Sequence, residues 1–102
     1  MADKVCKLRV FPDEDGRMNR SVEDVKGGLL IISQFTLYGE TKKGTRPSFI
    51  QAGPPEKSKA WYQQFIQLCK ERGVSVEQGT FGAHMEIEST NDGPVTLNLE
   101  KE

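Results

Sequence analysis

The chain has 102 residues, enough for one domain and too few for two. Hydrophobic residues make up 35% and charged residues 28%, which marks a globular chain, and a net charge of −1 excludes a broad basic field for nucleic acid. The longest strongly apolar run, residues 29–32, is too short to cross a bilayer, and residues 1–6 hold no signal-peptide core, so the cytoplasm is the expected location.

In chain order, Val5, Leu8 and Phe11 recur every three residues, so residues 2–9 predict the last turns of a helix or a helix-to-strand passage. A helix with no beginning suggests that the N-terminal part of the fold is missing. Cys6 and Cys69 lack metal-ligand spacing and are expected to be reduced core thiols. Pro12-Asp13-Glu14-Asp15-Gly16 predicts an acidic turn. Strands are expected near 18–21 and, more strongly, at 29–38, where Gly27-Gly28 leads into Leu29-Leu30-Ile31-Ile32. That run reads as a strand buried on both faces.

Residues 39–55 turn to Gly, Pro, Thr and Lys and predict an ordered loop. Pro54-Pro55-Glu56 then opens a helix over about 56–72. Its expected apolar stripe is Trp61, Phe65, Leu68 and Cys69, with Tyr62 and Ile66 beside them, and Gly73 supplies the stop. A short strand follows at 74–78. Residues 85–89 and 95–99 alternate with period two around Asn91-Asp92-Gly93-Pro94, the pattern of a β-hairpin. The class expected is α+β: a mostly antiparallel sheet with one main helix packed on a face, forming a single domain over 1–102.

The chemistry open to these residues is narrow. Metal hydrolysis needs several ligands at fixed spacing, and His84 is the one histidine. A Ser-His-Asp triad through His84 has no nucleophile-elbow motif to support it, and an ordinary surface or edge histidine is expected. No cofactor or metal is expected. Backbone and hydroxyl groups are what is left. Ser33, Gln34, Phe35 and Thr36 close an apolar strand with two hydroxyls and an amide, and Gly93 and Pro94 precede the hydroxyl of Thr96. Taken singly, these are a polar strand end and a plain turn. Lys42, Lys43 and Arg46 crowd a short polar loop, where solvated cations are the ordinary reading and a local RNA contact the other.

Read together and in order, Ser33-Gln34-Phe35-Thr36-Leu37, Lys43-Gly44-Thr45-Arg46-Pro47-Ser48-Phe49, Ala52-Gly53-Pro54-Pro55, Phe81-Gly82-Ala83-His84-Met85 and Asn91-Asp92-Gly93-Pro94-Val95-Thr96 resemble the D-aminoacyl-tRNA deacylase family, across essentially the whole chain. The resemblance implies that the enzyme hydrolyses the ester of D-aminoacyl-tRNA, with glycyl-tRNA a further substrate and L-aminoacyl-tRNA rejected. It implies a homodimer with active sites at the interface. Ser33, Gln34, Phe35 and Thr36 match the pocket floor that offers backbone N–H groups to the scissile ester. Gly93 and Pro94 match a Gly-cisPro pair inserted into the partner's pocket as the chiral filter, although X-Pro bonds in general are cis only about 5–6% of the time. Phe81 and Met85 match positions that hold the terminal adenine of tRNA. Thr96 matches a hydroxyl proposed as nucleophile, the tRNA 2′-OH being the alternative. Lys42, Lys43 and Arg46 are the candidate contacts to the tRNA backbone. The family's members begin with a strand, a hairpin and most of a helix ahead of the point matched by Met1. A catalytically silent RNA- or protein-binding fragment of the same fold is therefore the alternative to an enzyme.

Overall fold

Ala2 and Cys6 lie one helical turn apart and form the buried stripe of the first helix, α1 (Ala2–Lys7), in a computed structural model that describes residues 1–101. A small antiparallel pair follows, β1 (Phe11–Pro12) with β2 (Met18–Arg20). Its acidic turn is organised by one side chain. Asp13 accepts the amides of Asp15 and Arg17 at 2.9 Å each and the side-chain amide of Asn19 at 2.7 Å. Those bonds, led by the one from Asn19, hold the Asp13 carboxyl below its ordinary value of 3.8. Gly16 completes the turn at φ +80°, a conformation a side chain would resist. The next turn is a reciprocal box: Ser21 Oγ accepts the Asp24 amide, and the Asp24 carboxylate accepts the Ser21 amide.

The central pairing is parallel. β3 (Gly28–Ile31) lies beside β4 (Ser75–Gln78), with Gly28 opposite Ser75 and Ile31 opposite Gln78. Between them the chain passes through a 3-10 turn (Phe35–Tyr38), a long loop and the main helix α2 (Pro55–Glu71). Such a crossover is what a parallel pair requires, because a tight hairpin reverses direction. Pro55 sits in the first turn of α2, where a missing N–H costs nothing, and Gly73 ends it at φ +83°.

The core gathers Ala2 and Cys6 of α1, Val22, Cys69 of α2 and Val74, with Leu29, Ile31, Phe65 and Val76 packed against it. Both cysteines are free and fully buried, as expected from their number and spacing. Burial pushes the Cys69 thiol up to about 11, and the neighbouring Cys6 thiol adds to the effect. At the rim, Arg72 closes the layer. It donates to Glu23 Oε1 from Nε at 2.9 Å and from Nη2 at 2.6 Å, and to Asp3 Oδ1 from Nη1 at 2.6 Å.

The α+β class holds, and five details of the sequence reading are corrected. The strand expected over 29–38 stops at Ile31, because the chain then bends into the 3-10 turn. It is covered on one face only: Leu29 and Ile31 face the core, whereas Leu30 is 61% exposed. The stripe of α2 is rotated from the one expected. Tyr62, Phe65, Ile66 and Cys69 face inward, while Trp61 and Leu68 face out at 60% and 42% exposure. The fourth correction is the hairpin. Residues 85–89 and 95–99 join no ladder, and the described chain has no helix or strand after Gln78. A hairpin gains little unless one face is buried, and Ile87, Val95 and Leu97 are 52%, 42% and 56% exposed. The sheets are thus one antiparallel and one parallel pair, not the mostly antiparallel sheet expected. The extended segment also explains a radius of gyration of 15.7 Å, against about 13 Å for a compact domain of this length.

Two outcomes test this packing. Ile66→Ala, at a side chain only 4% exposed, should lower stability by roughly 2–5 kcal/mol. Leu68→Ala should change it by about 0.5 kcal/mol or less, and equal urea midpoints for the two would refute the assigned face. The second outcome concerns acid. Asp13 has a folded pKa below the unfolded one, so its contribution is present above the ordinary value of 3.8 and lost as pH falls through the folded value. The urea midpoint of the parent should exceed that of Asp13→Ala by a constant margin at neutral and mildly acidic pH, and the margin should narrow below about pH 4.

Candidate active site

Just beyond the end of β3, Ser33 is half-buried and Gln34, Phe35 and Thr36 are exposed. The 3-10 turn begins at Phe35, and the first amides of any helical turn lack partners within it. Among the described residues the Phe35 and Thr36 N–H groups donate to no backbone group outside the turn. The Gln34 side-chain amide donates to Thr36 Oγ1, which fixes both polar groups on one side of the turn. The loop after the turn folds back on it. Glu40 and Ser48 exchange two backbone bonds of 2.7 and 2.9 Å, and this brings the Phe49 ring edge-on to Phe35 at 5.3 Å and 70°. Gly39 permits the approach: a Cβ there would stand 3.0 Å from both the Phe49 ring and the Thr36 carbonyl.

A second group of side chains lies past the end of β4. The Gly79 amide donates to the Ile31 carbonyl at 3.1 Å, extending the contact between the strands by one bond. Tyr62 of α2 shares its hydroxyl proton between the Ile31 carbonyl at 3.0 Å and the Gly79 carbonyl at 3.2 Å. Its ring packs on Phe81 at 5.7 Å between centroids. Met85 folds back over Gly79, so closely that a Cβ on Gly79 would lie 2.8 Å from the Met85 sulfur. Residues 33–36 and the pair Phe81 and Met85 thus follow the two strand ends that meet at this seam. His84, between them in sequence, is exposed.

The turn at 91–96 belongs to a different neighbourhood. Asp92, Val95 and Leu97 line an open hollow with Val10, Phe11 and Pro12 of the same chain. Further on, Asn98 and Leu99 border Leu37 and Tyr38. The Gly93–Pro94 peptide is cis, and Gly93 has φ +149°. The Asn91 side chain holds the turn, accepting the Val95 amide and donating to Thr96 Oγ1, both at 3.4 Å. Among the described residues no hydrogen bond joins this turn to residues 33–36. Lys42, Lys43 and Arg46 are exposed on the loop, where the Lys42 amide is held by the Glu40 carboxylate at 3.0 Å.

Sequence reasoning missed Tyr62, Gly79 and Phe49. Tyr62 was placed among the apolar residues of the helix, although a phenol within such a stripe needs a partner for its hydroxyl. Gly79 directly precedes the Thr80-Phe81 segment, and a glycine after a strand is a sign of close approach.

The fold is that of a known class of hydrolase. Residues 1–100 match the family described as D-Tyr-tRNA(Tyr) deacylase, and the chain belongs to it. A D-aminoacyl-tRNA deacylase of Thermotoga petrophila is 55% identical over 100 residues, which are 98% of this chain and 67% of the relative. One from Chloroherpeton thalassium is 58% identical over 101 residues, 98% of this chain and 66% of the relative. A Bacillus subtilis relative described as an inactive D-aminoacyl-tRNA deacylase is 50% identical over 100 residues, 98% of this chain and 76% of its own length. Among solved structures, the c-Myc DNA unwinding element binding protein superposes with a TM-score of 0.88 at 39% identity, over 100% of this chain and 70% of that one. The chain spans about two thirds of the length of the first two of these relatives.

The contact at Gly79 yields a test. Gly79→Ala should displace the Met85 side chain, since its sulfur would lie 2.8 Å from the new methyl. Because a methionine end is flexible, the thermal midpoint should move by only a few degrees. The Met85 methyl resonance should shift while those of Met1 and Met18 stay in place; an unmoved Met85 signal would refute the packing.

Proposed function

We propose that this chain hydrolyses the ester of D-aminoacyl-tRNA, releasing the D-amino acid and free tRNA, and that it spares L-aminoacyl-tRNA. The observation that supports the reading is the joining of the two strand ends by Tyr62 and Gly79: residues 33–36 follow one end, and Phe81 and Met85, packed on Tyr62 and Gly79, follow the other. An aminoacyl ester joined to a terminal adenosine needs both halves. The adenine would rest on Phe81 and Met85, and the ester carbonyl would meet the amides of Phe35 and Thr36. An aminoacyl ester is already activated, so orientation and oxyanion donors can suffice without a strong protein base. Water, aided by the tRNA 2′-OH, is the attacking group in this reading.

Chiral rejection falls to Gly93 and Pro94 of a second copy. A rigid main-chain wall beside the α-carbon leaves no room for an L side chain, while a D side chain points away and glycine has none. Glycyl-tRNA would therefore also be accepted. The surface supports assembly into a homodimer. The chain exposes 8794 Å², against about 5,800 Å² for a folded monomer of its mass, an excess of about 3,000 Å². Over two copies that is about 6,000 Å², at the upper end of obligate interfaces, which are counted over both partners. Lys42, Lys43 and Arg46 would follow the tRNA backbone, where each neutralised phosphate steepens the salt dependence. Such a substrate is met in the cytoplasm.

A second reading, a fold that binds without hydrolysing, is favoured by one observation: a relative described as inactive is as similar as 50%.

Release of amino acid from D-tyrosyl-tRNA, with L-tyrosyl-tRNA left intact, is the expected result for the parent chain. Tight tRNA binding with no release from either would favour the silent reading. Ser33→Ala and Thr96→Ala should each keep most of the turnover, because neither hydroxyl is asked to attack. A loss of about 10⁴-fold in either would identify a protein nucleophile, since removing a member of a catalytic triad has an effect of that size.

A further inference from the structure

We infer that Tyr62 is a positioning residue, which sets the distance between the ester-binding turn and the nucleobase-binding wall by tying together the ends of β3 and β4; this rests on the deacylase reading above. Past Ile31 and Gln78 the two strands leave their ladder, and twisted strands diverge from that point unless something joins them. Two bonds do so. One is the Gly79 amide to the Ile31 carbonyl at 3.1 Å; the other is the Tyr62 hydroxyl, shared between the Ile31 and Gly79 carbonyls at 3.0 and 3.2 Å.

The register of these contacts gives them their reach. Ile31 stands two residues before Ser33, and Gly79 two residues before Phe81. Two carbonyl oxygens converging on one point repel each other, and a single donated proton between them turns that repulsion into a tie. The phenol is half-buried, so water competes poorly for the bond. The same ring packs on Phe81 at 5.7 Å, and Gly79 carries Met85 against its backbone. A displacement of the hydroxyl is therefore felt on both sides of the site. Tyr62 itself contacts no reacting atom.

Tyr62→Phe in the full chain removes the tie and keeps the ring on Phe81. Amide hydrogen exchange reads the tie without reference to activity. The Gly79 amide, which donates to the Ile31 carbonyl, should exchange at least about tenfold faster in the variant, with those of Cys6 and Cys69 unchanged. The melting temperature should fall by no more than about 8 °C. Deacylation of D-tyrosyl-tRNA should drop about tenfold or more in kcat/KM, because small misplacements of reacting groups carry losses of that order. Unchanged exchange at Gly79, or faster exchange throughout the chain, overturns the positioning role. Selective exchange with deacylation equal to that of an active parent overturns it as well. If the parent itself releases nothing from D-tyrosyl-tRNA, the deacylase reading fails, while selective exchange still upholds Tyr62 as the tie between the two segments.

Discussion

The parallel pairing of β3 with β4 is the constraint from which the rest of the molecule follows. Two parallel strands point the same way, so their C-terminal ends lie side by side, and the segments leaving them begin as neighbours. In open α/β sheets, ligands collect at such strand ends because the chain there is free to turn outward. Here one strand end leads into the polar residues 33–36 and the other into Phe81 and Met85. The crossover between the strands also has to cover the sheet, and α2 does so while bringing Tyr62 over the seam. Fold and site are thus two consequences of one connection.

What holds the cover down is a thin core. Cys6 and Cys69 have small side chains, so α1 approaches α2 closely, and both thiols are excluded from water. The raised pKa of Cys69 follows from that exclusion and keeps the thiol neutral, as an apolar residue would be. Arg72 then spans the rim, joining α2 to Glu23 and Asp3 across the sequence. The opposite face of β3 has no comparable layer, and Leu30 stands open there. The energetic weight of the fold lies on one side of the parallel pair.

Local chemistry decided how much of this was legible beforehand. Turns governed by a single residue were readable: the Asp13–Gly16 turn and the stop at Gly73 follow from residues whose conformational preferences are strong. The extent of α2 was readable for the same reason, with Pro at one end and Gly at the other. Its orientation was not. Trp61 is the largest apolar side chain on the helix, yet Lys57 lies over its ring at 5.0 Å on the outer surface. Size was mistaken for burial, where cation–π contact and exposure suit the residue equally well. The period-two pattern at 85–89 and 95–99 misled in another way. Alternation reports that one face is meant to be covered, not that the cover lies in the same stretch of chain. The residues of the candidate site emerged through ordered motifs, whereas the groups joining them, Tyr62 and Gly79, are visible only once the strands are paired.

The distribution of perturbed acidities bears on the proposed reaction. Strongly shifted groups often mark catalytic sites, because acid–base chemistry needs them. In this chain the carboxylates held below their ordinary range are Asp3, through its bond to Lys7 and the charges of Lys7 and Arg72, and Asp13 and Asp24, through hydrogen bonds that shape turns. The raised thiol, Cys69, is in the core. These shifts are accounted for by structure, and they lie away from the turn at 33–36. What that turn offers instead is main-chain N–H, hydroxyl and amide groups, none of which needs to change protonation state near neutral pH. A site of this composition suits a substrate that brings its own reactivity, and an aminoacyl ester does. It also makes geometry the main requirement, since donors that cannot be tuned by pKa act only through where they stand.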